Sequence, residues 1–324
     1  MIPIEKLSII FFGTPEFAVE SLSAIIDAGC NVKAVVTMPD KPAGRGHRMF
    51  QSPVKEFALS RGIELLQPVK LKDEAFLERL RELDADLFVV IAFRMLPAAV
   101  WQMPRLGTFN LHASLLPRYR GAAPINWAII NGDDRTGVTT FFLRQEIDTG
   151  DIIDREAVEI LPDDTVGTLH DRLMHLGAKL TLRTIRAICD GTLRTLPQSA
   201  ITDEQPTPAP KIFKDTCRID WTMPPMRIHN LVRGLSPYPA AWTELHAGGS
   251  DPLQLKIFTT CILPDSGDAL EPGSIITDAG GNMTVSCGDG HGRLQIIDVQ
   301  AQGKRRMGAP EFIRGLRADS PRLV

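Results

Sequence analysis

Short apolar runs alternate with stretches whose apolar positions recur every third or fourth residue throughout residues 1–195. The runs predict strands at 7–12, 32–37, 87–92, 108–113 and 138–142. The wider spacing predicts helices over 15–28, 53–60 and 73–83, and a longer one over 165–189. That last helix opens at Asp164 or Thr165, either of which has a side chain able to cap free N–H groups, and it stops before Asp190 and Gly191. Strands alternating with helices pack as a mostly parallel sheet covered by helices, a Rossmann-like α/β fold.

The pattern breaks over 196–210, LPQSAITDEQPTPAP, where four prolines fall in fifteen residues with no periodicity of either kind. This stretch reads as a linker between a first domain over 1–195 and a second over 211–324. Beyond it, short β-like pieces at 253–260, 273–277, 283–287 and 294–300 are separated by turn signals and predict a small OB-like β-barrel.

At 324 residues and 44% apolar content, the chain is long enough to bury two cores. A net charge of −3 argues against a protein that coats nucleic acid by charge alone, so any such contact should be focused on a local basic patch. Cys30, Cys189, Cys217, Cys261 and Cys287 form neither a CxxC pair nor a zinc spacing, so a reduced, cytoplasmic setting and no metal site are expected. The apolar runs are too short to span a bilayer, and no membrane partner is expected. After the first strand, Gly13 stands without a GxGxxG pattern, which argues against a dinucleotide-dependent oxidoreductase.

One run is out of keeping with its neighbours. In TFNLHASLLPRYRG, residues 108–121, Asn110 and His112 interrupt an apolar strand. Side chains two apart in a strand share a face, so these two project together while Phe109, Leu111 and Ala113 pack on the other side. Burying them unpaired would cost roughly 1–3 kcal/mol each. They should therefore find partners or lie at the carboxyl edge of the sheet, where open α/β sheets hold ligands. Asp148, in the turn QEIDTGD, follows the next strand and is placed to come within reach of His112. Taken singly, each residue has an ordinary structural reading. Together they suit the attack of an amine on a carbonyl, with Asn110 donating to the developing oxyanion, His112 donating a bond or passing a proton, and Asp148 orienting the ring. No Ser or Cys nucleophile accompanies them, which favours direct transfer over a covalent acyl-enzyme.

The stretch NLHASLLPRYRGAAPINWAI, with DTGD beginning 36 residues after His112, resembles the folate-dependent formyltransferase superfamily. The resemblance implies 10-formyltetrahydrofolate as co-substrate and a catalytic site at Asn110, His112 and Asp148. It implies a folate border at Ser114, Leu115, Leu116 and Pro117, and a loop of Phe93, Arg94, Met95 and Leu96 whose backbone reads the pterin ring. Three further stretches resemble the methionyl-tRNA formyltransferases within that superfamily: MPDKPAGRGHRMFQSPVKEFA at 38–58, CRIDWTMPPMRIHNLVRGLSPYPAAWT at 217–243 and GKRRMGAPEFIRG at 303–315. These imply initiator methionyl-tRNA as acceptor and a second domain that binds it. They place RNA contacts at Lys41, Arg45 and Arg48, with Lys304, Arg305 and Arg306 ranked second.

Three residues depart from the family pattern: His47 stands where lysine is common, Tyr119 where tryptophan is common, and Ala240 where glycine is usual. Arg118 and Arg120 are expected either to face water or to meet acidic or phosphate groups at the rim of the cleft. A formyltransferase acting on a sugar-nucleotide amine would use the same three catalytic residues and would work without tRNA. A protein that only binds RNA or folate would leave them unexplained. A bacterial, cytoplasmic monomer is expected.

Overall fold

Strand β1, Ser8–Gly13, is buried at every position, as a strand covered on both faces requires. The computed structural model to which it belongs describes residues 1–43, 48–247, 251–265, 267–316 and 321–324. Contacts divide the chain into two units. The first comprises Met1–Ala122, Thr136–Glu159 and His170–Ala209; the second comprises Ala123–Arg135, Ile160–Leu169 and Pro210–Val324.

In the first unit β1 is followed by β2 (Asn31–Val36), β3 (Lys41–Ala43), β4 (Arg48–Phe50), β5 (Glu64–Leu66) and β6 (Leu87–Ile91). Then come β7 (Thr108–His112), β8 (Arg120–Gly121), β9 (Arg135–Phe142), β10 (Ile152–Glu159) and β11 (Pro208–Ala209). Seven of these form one sheet in the order β10, β9, β7, β6, β1, β2, β5. From β5 to β7 the pairs are parallel. β9 joins β7 antiparallel, with Asn110 opposite Phe141 and His112 opposite Thr139. The chain builds outward from β1 to β5 and then returns to β6 on the other side of β1. That reversal leaves a crevice at the carboxyl ends of the central strands.

Helices Glu16–Asp27, Pro53–Ser60 and Glu74–Leu83 connect the strands. Ser52 and Asp73 cap the last two by accepting from the N–H groups of Lys55 and Phe76. The long helix Val166–Asp190 opens on a reciprocal cap, in which Thr165 Oγ1 accepts from the Thr168 N–H and Thr168 Oγ1 from the Thr165 N–H.

The strongly periodic elements lie where the pattern puts them, within one to three residues at their ends. The pattern does not disclose β5, the β3–β4 hairpin, or helices Pro124–Ile130 and Pro225–Leu235. Nor does it disclose β10, which ends the sheet and carries four charged residues in eight, IIDREAVE, so that neither alternation nor an apolar run marks it. The proline-rich stretch is built into the first unit. Leu196 exchanges backbone hydrogen bonds with Ile152, Gln198–Ala200 form a 3-10 turn, and β11 pairs in parallel with β8.

The second unit is a nearly closed antiparallel barrel. Its strands are β12 (Ala241–His246), β13 (Leu253–Leu263), β14 (Ile275–Thr277), β15 (Met283–Cys287), β16 (Gly292–Ala301), β17 (Met307–Gly308) and β18 (Arg322–Leu323). The order is β14, β15, β16, β13, β12, β18, with β17 on β16 and a bridge from Ser274 to Arg322 joining the two ends. Helix Pro225–Leu235 sends Ile228, Val232 and Leu235 into the barrel core beside Leu255, Ile257, Val285 and Leu294. These three recur at the spacing of one helix face. Just before β12, Ala240 holds φ 72°, a left-handed conformation that accounts for the usual glycine there.

No helix among the described residues is long and apolar enough to cross a membrane. In the first unit Phe141 is fully buried and packs with Leu116 and Ile152. Phe141→Ala is expected to lower stability by about 3–5 kcal/mol. Urea unfolding of this unit measures it, and a loss under about 1 kcal/mol would show that the cluster bears little of the packing.

Candidate active site

The carboxyl end of β7 brings Asn110 and His112 to one face, with Phe109 and Leu111 buried on the other. His112 is itself buried, and its Nε2 lies 2.8 Å from the carbonyl oxygen of Tyr119. A carbonyl only accepts, so Nε2 carries the proton in that bond. The other nitrogen, Nδ1, lies 3.8 Å from Asp148 Oδ2. This is an ion-pair separation, longer than the direct hydrogen bond that the sequence allowed. Asp148 Oδ2 also accepts from the Gly121 N–H at 2.8 Å.

Two backbone conformations make this arrangement. Tyr119 has φ 59° and Asp148 has φ 54°, both left-handed and both disfavoured for residues with a Cβ. Such residues persist only where their surroundings over-determine them. Tyr119 donates its N–H to Thr207 Oγ1 at 2.9 Å, and the flanking Arg120 and Ala122 N–H groups go to the carbonyls of Thr207 and Ala209. Ahead of the turn, Thr139 Oγ1 donates to Ser114 O at 2.6 Å and accepts from the Leu116 N–H at 3.1 Å.

Asn110 Oδ1 is buried without a hydrogen-bond partner among the described residues. So is Thr14 Oγ1, just after β1 of the same sheet, a residue that no motif in the sequence singles out. Leaving such an atom unpaired costs about 1–3 kcal/mol. A bound molecule that supplies the missing partner is one physical reason for retaining it.

The Phe93–Leu96 loop leaves β6 through Ala92, at φ 47°. Phe93 packs edge-on against Phe12 at 5.7 Å, Leu96 is buried and Met95 is exposed. The Arg94 guanidinium donates to the carbonyls of Val69 and Pro68 and so ties the loop to the segment before helix Glu74–Leu83. No backbone hydrogen bond among the described residues uses an N–H or C=O of Phe93, Arg94, Met95 or Leu96.

In the Ser114–Pro117 stretch, Ser114, Leu116 and Pro117 are buried, and the Ser114 hydroxyl is engaged with the Arg118 carbonyl. Leu115 alone of the four is partly accessible. Arg118 and Arg120 do not simply face water. Arg118 lies over the Tyr119 ring at 5.2 Å, and Arg120 donates twice to the buried Gln198.

Of the cationic residues, Arg45 lies outside the described residues, as does His47. Lys41 is exposed, and Ala43 pairs with Arg48 in the β3–β4 hairpin. The hairpin springs from Asp40, whose carboxyl is held below its ordinary range by hydrogen bonds from Lys55 and Gln67. In the second unit, Arg305 pairs with Glu311, while Arg306 pairs with Asp298 and lies 4.4 Å over the Phe258 ring. Lys304, the first of that run, is exposed to solvent. No group of three or more potential metal ligands is gathered among the described residues.

Comparison with known proteins agrees with this architecture. A family described as formyl transferase matches residues 5–185, and its C-terminal domain matches 211–317. A methionyl-tRNA formyltransferase of Bacteroides fragilis is 53% identical over 313 residues, covering 96% of this chain and 95% of that protein. One from Parabacteroides distasonis is 54% identical over 316 residues, 97% of each. Among solved structures, an N-formyltransferase from Helicobacter canadensis, in complex with folinic acid and dTDP-3-aminofucose, shares the fold with a TM-score of 0.64 at 20% identity. That likeness covers 90% of this chain and 98% of the other. The chain therefore belongs to the formyl transferase family, and within it to the methionyl-tRNA formyltransferases.

Proposed function

We propose that this protein transfers the formyl group of 10-formyltetrahydrofolate to the α-amino group of methionine carried on initiator tRNA, as a monomer in the bacterial cytoplasm. The reading is carried by one sheet edge that joins an amide whose oxygen has no partner among the described residues, a ring with one nitrogen fixed and a carboxylate, in a chain like a methionyl-tRNA formyltransferase over 96% of its length.

An α-amino group titrates near about pH 8, so part of it is already a free base at neutral pH. Catalysis then rests on positioning and on stabilising charge at the formyl oxygen. As the new C–N bond forms, the carbonyl electrons move onto that oxygen. Asn110 donates to it through its amide N–H, while the unpartnered Oδ1 suits an N–H of the incoming amine. Because Nε2 of His112 is committed to Tyr119 O, Nδ1 is the nitrogen that exchanges a proton. Asp148 faces that nitrogen and takes up the proton lost by the attacking amine. Asp148 passes that proton to Nδ1, and His112 delivers it to N10 of the folate as the old C–N bond breaks, so that one proton moves from amine to N10 and tetrahydrofolate leaves neutral at that atom.

The free backbone groups of Phe93, Arg94, Met95 and Leu96 fit the polar edge of a pterin, and the turn of Ser114, Leu115, Leu116 and Pro117 borders it through Leu115 and its main chain. Lys41, Arg45 and Arg48 hold the acceptor end of the tRNA by phosphate contact and stacking. Lys304 supplies a further phosphate contact, whereas Arg305 and Arg306 must first release Glu311 and Asp298.

Asn110→Ala, His112→Ala and Asp148→Ala are each expected to lower kcat by about 10²- to 10³-fold with little change in tRNA affinity. Transfer of labelled formyl to charged initiator tRNA measures this, and near-normal turnover in all three would remove the assignment. Amino-sugar nucleotides offered in place of tRNA should remain unformylated. Arg45→Ala is expected to raise KM for tRNA and to flatten its salt dependence by about one charge. If only folate affinity changed, the loop would not be the RNA contact.

A further inference from the structure

Gln198 lies in the proline-rich stretch that the sequence presents as a linker, yet it is only 6% exposed. Both ends of its carboxamide are engaged. Nε2 donates to Asp148 O at 2.8 Å and to Gly150 O at 2.9 Å. Oε1 accepts from Arg120 Nε at 3.1 Å and Nη2 at 2.6 Å. A guanidinium has donors only, so it fixes which end of the amide is oxygen and leaves the NH2 to the two carbonyls. Arg120 in turn precedes Gly121, whose N–H holds Asp148 Oδ2. Asp148 is thus gripped at its carboxylate by one end of a short chain of contacts and at its carbonyl by the other.

The residue so gripped is the one at φ 54°. Two residues on, a Cβ at Gly150 would run into the Phe142 carbonyl oxygen, so the turn lies hard against β9. Leu196 holds Ile152 just beyond it, through a pair of 2.8 Å backbone hydrogen bonds. Both carbonyls that Gln198 serves belong to this turn; neither belongs to the surrounding core.

We propose that Gln198 is a positioning residue for the reaction. It fixes the left-handed backbone of Asp148 and thereby the reach of the carboxylate toward His112 Nδ1, with Arg120 orienting the amide. The inference rests on the reading of Asp148 as catalytic. It assigns a role in chemistry to a segment outside the family's catalytic stretch, and it separates Arg120 from Arg118.

The test uses the full-length enzyme, charged initiator tRNA and 10-formyltetrahydrofolate, with thermal melting recorded for each variant. Gln198→Glu keeps the size and the contact with Arg120 but, once ionised, has no hydrogen to donate. Gln198→Met keeps the volume and removes both contacts. Both are expected to lower kcat by about 10- to 100-fold while leaving KM for each substrate within about twofold. In an Asp148→Ala background, Gln198→Met should add less than about a twofold loss, because the group it positions is gone.

Arg120→Ala frees the amide to rotate and should give the same kcat-selective loss; it serves where the Gln198 variants fail to fold. Folded variants with wild-type kcat would overturn the inference, as would a loss that multiplies with Asp148→Ala or one confined to the melting temperature. If Asp148→Ala itself turned over normally, the catalytic reading of Asp148 would fall first and take this inference with it.

Discussion

One hydrogen bond organises the candidate site: His112 Nε2 to the carbonyl of Tyr119. For that carbonyl to face back at the strand it follows, the chain must reverse within the few residues after His112. Tyr119 takes a left-handed conformation to do so, and Thr139 and Thr207 hold the reversal from either side. The bond engages Nε2 and leaves Nδ1 as the nitrogen that faces Asp148. It also sets the place of the Gly121 N–H, and through that the place of the Asp148 carboxylate. Asn110, on the same face of the same strand, has an oxygen unpaired among the described residues.

The legible part of the sequence is the part governed by local periodicity. β1, β6 and β7 announce themselves as apolar runs, and the capped helices by their spacing and start signals. Asn110 and His112 were legible because a strand puts alternate residues on one face, so two polar side chains in step must share an environment. Gln198 was not legible. Its partners Asp148, Gly150 and Arg120 lie 50, 48 and 78 positions away, and nothing in LPQSAITDEQPTPAP marks one glutamine as buried. The 3.8 Å gap between His112 and Asp148 was equally out of reach, since it follows from two backbone conformations rather than from residue type.

Charge runs show the same limit from another side. GKRRM reads as three cations in a row, yet two of them face carboxylates within their own unit, one supplied by helix Ala309–Gly315 and one by β16. PRYRG offers two arginines for water or for anions at the cleft rim, yet one lies over an aromatic ring and the other grips an amide. Counting cations in a sequence overstates the positive surface offered to RNA, because an ion pair that already exists must be broken before a phosphate can take its place.

The two units do not map onto two continuous lengths of chain. Segments Ala123–Arg135 and Ile160–Leu169 belong with the second unit although both precede most of the long helix, and the first unit is complete only at Ala209. A ribosome releasing this chain from its N-terminus therefore delivers two pieces of the second unit before their partners exist. The second unit therefore cannot be finished strictly in the order of synthesis: its earlier pieces must wait, with Ile130 uncovered, until the barrel residues it packs with emerge. A gene cut at the proline-rich stretch would separate residues that fold together, so the most linker-like passage of the sequence is a poor place to divide the protein.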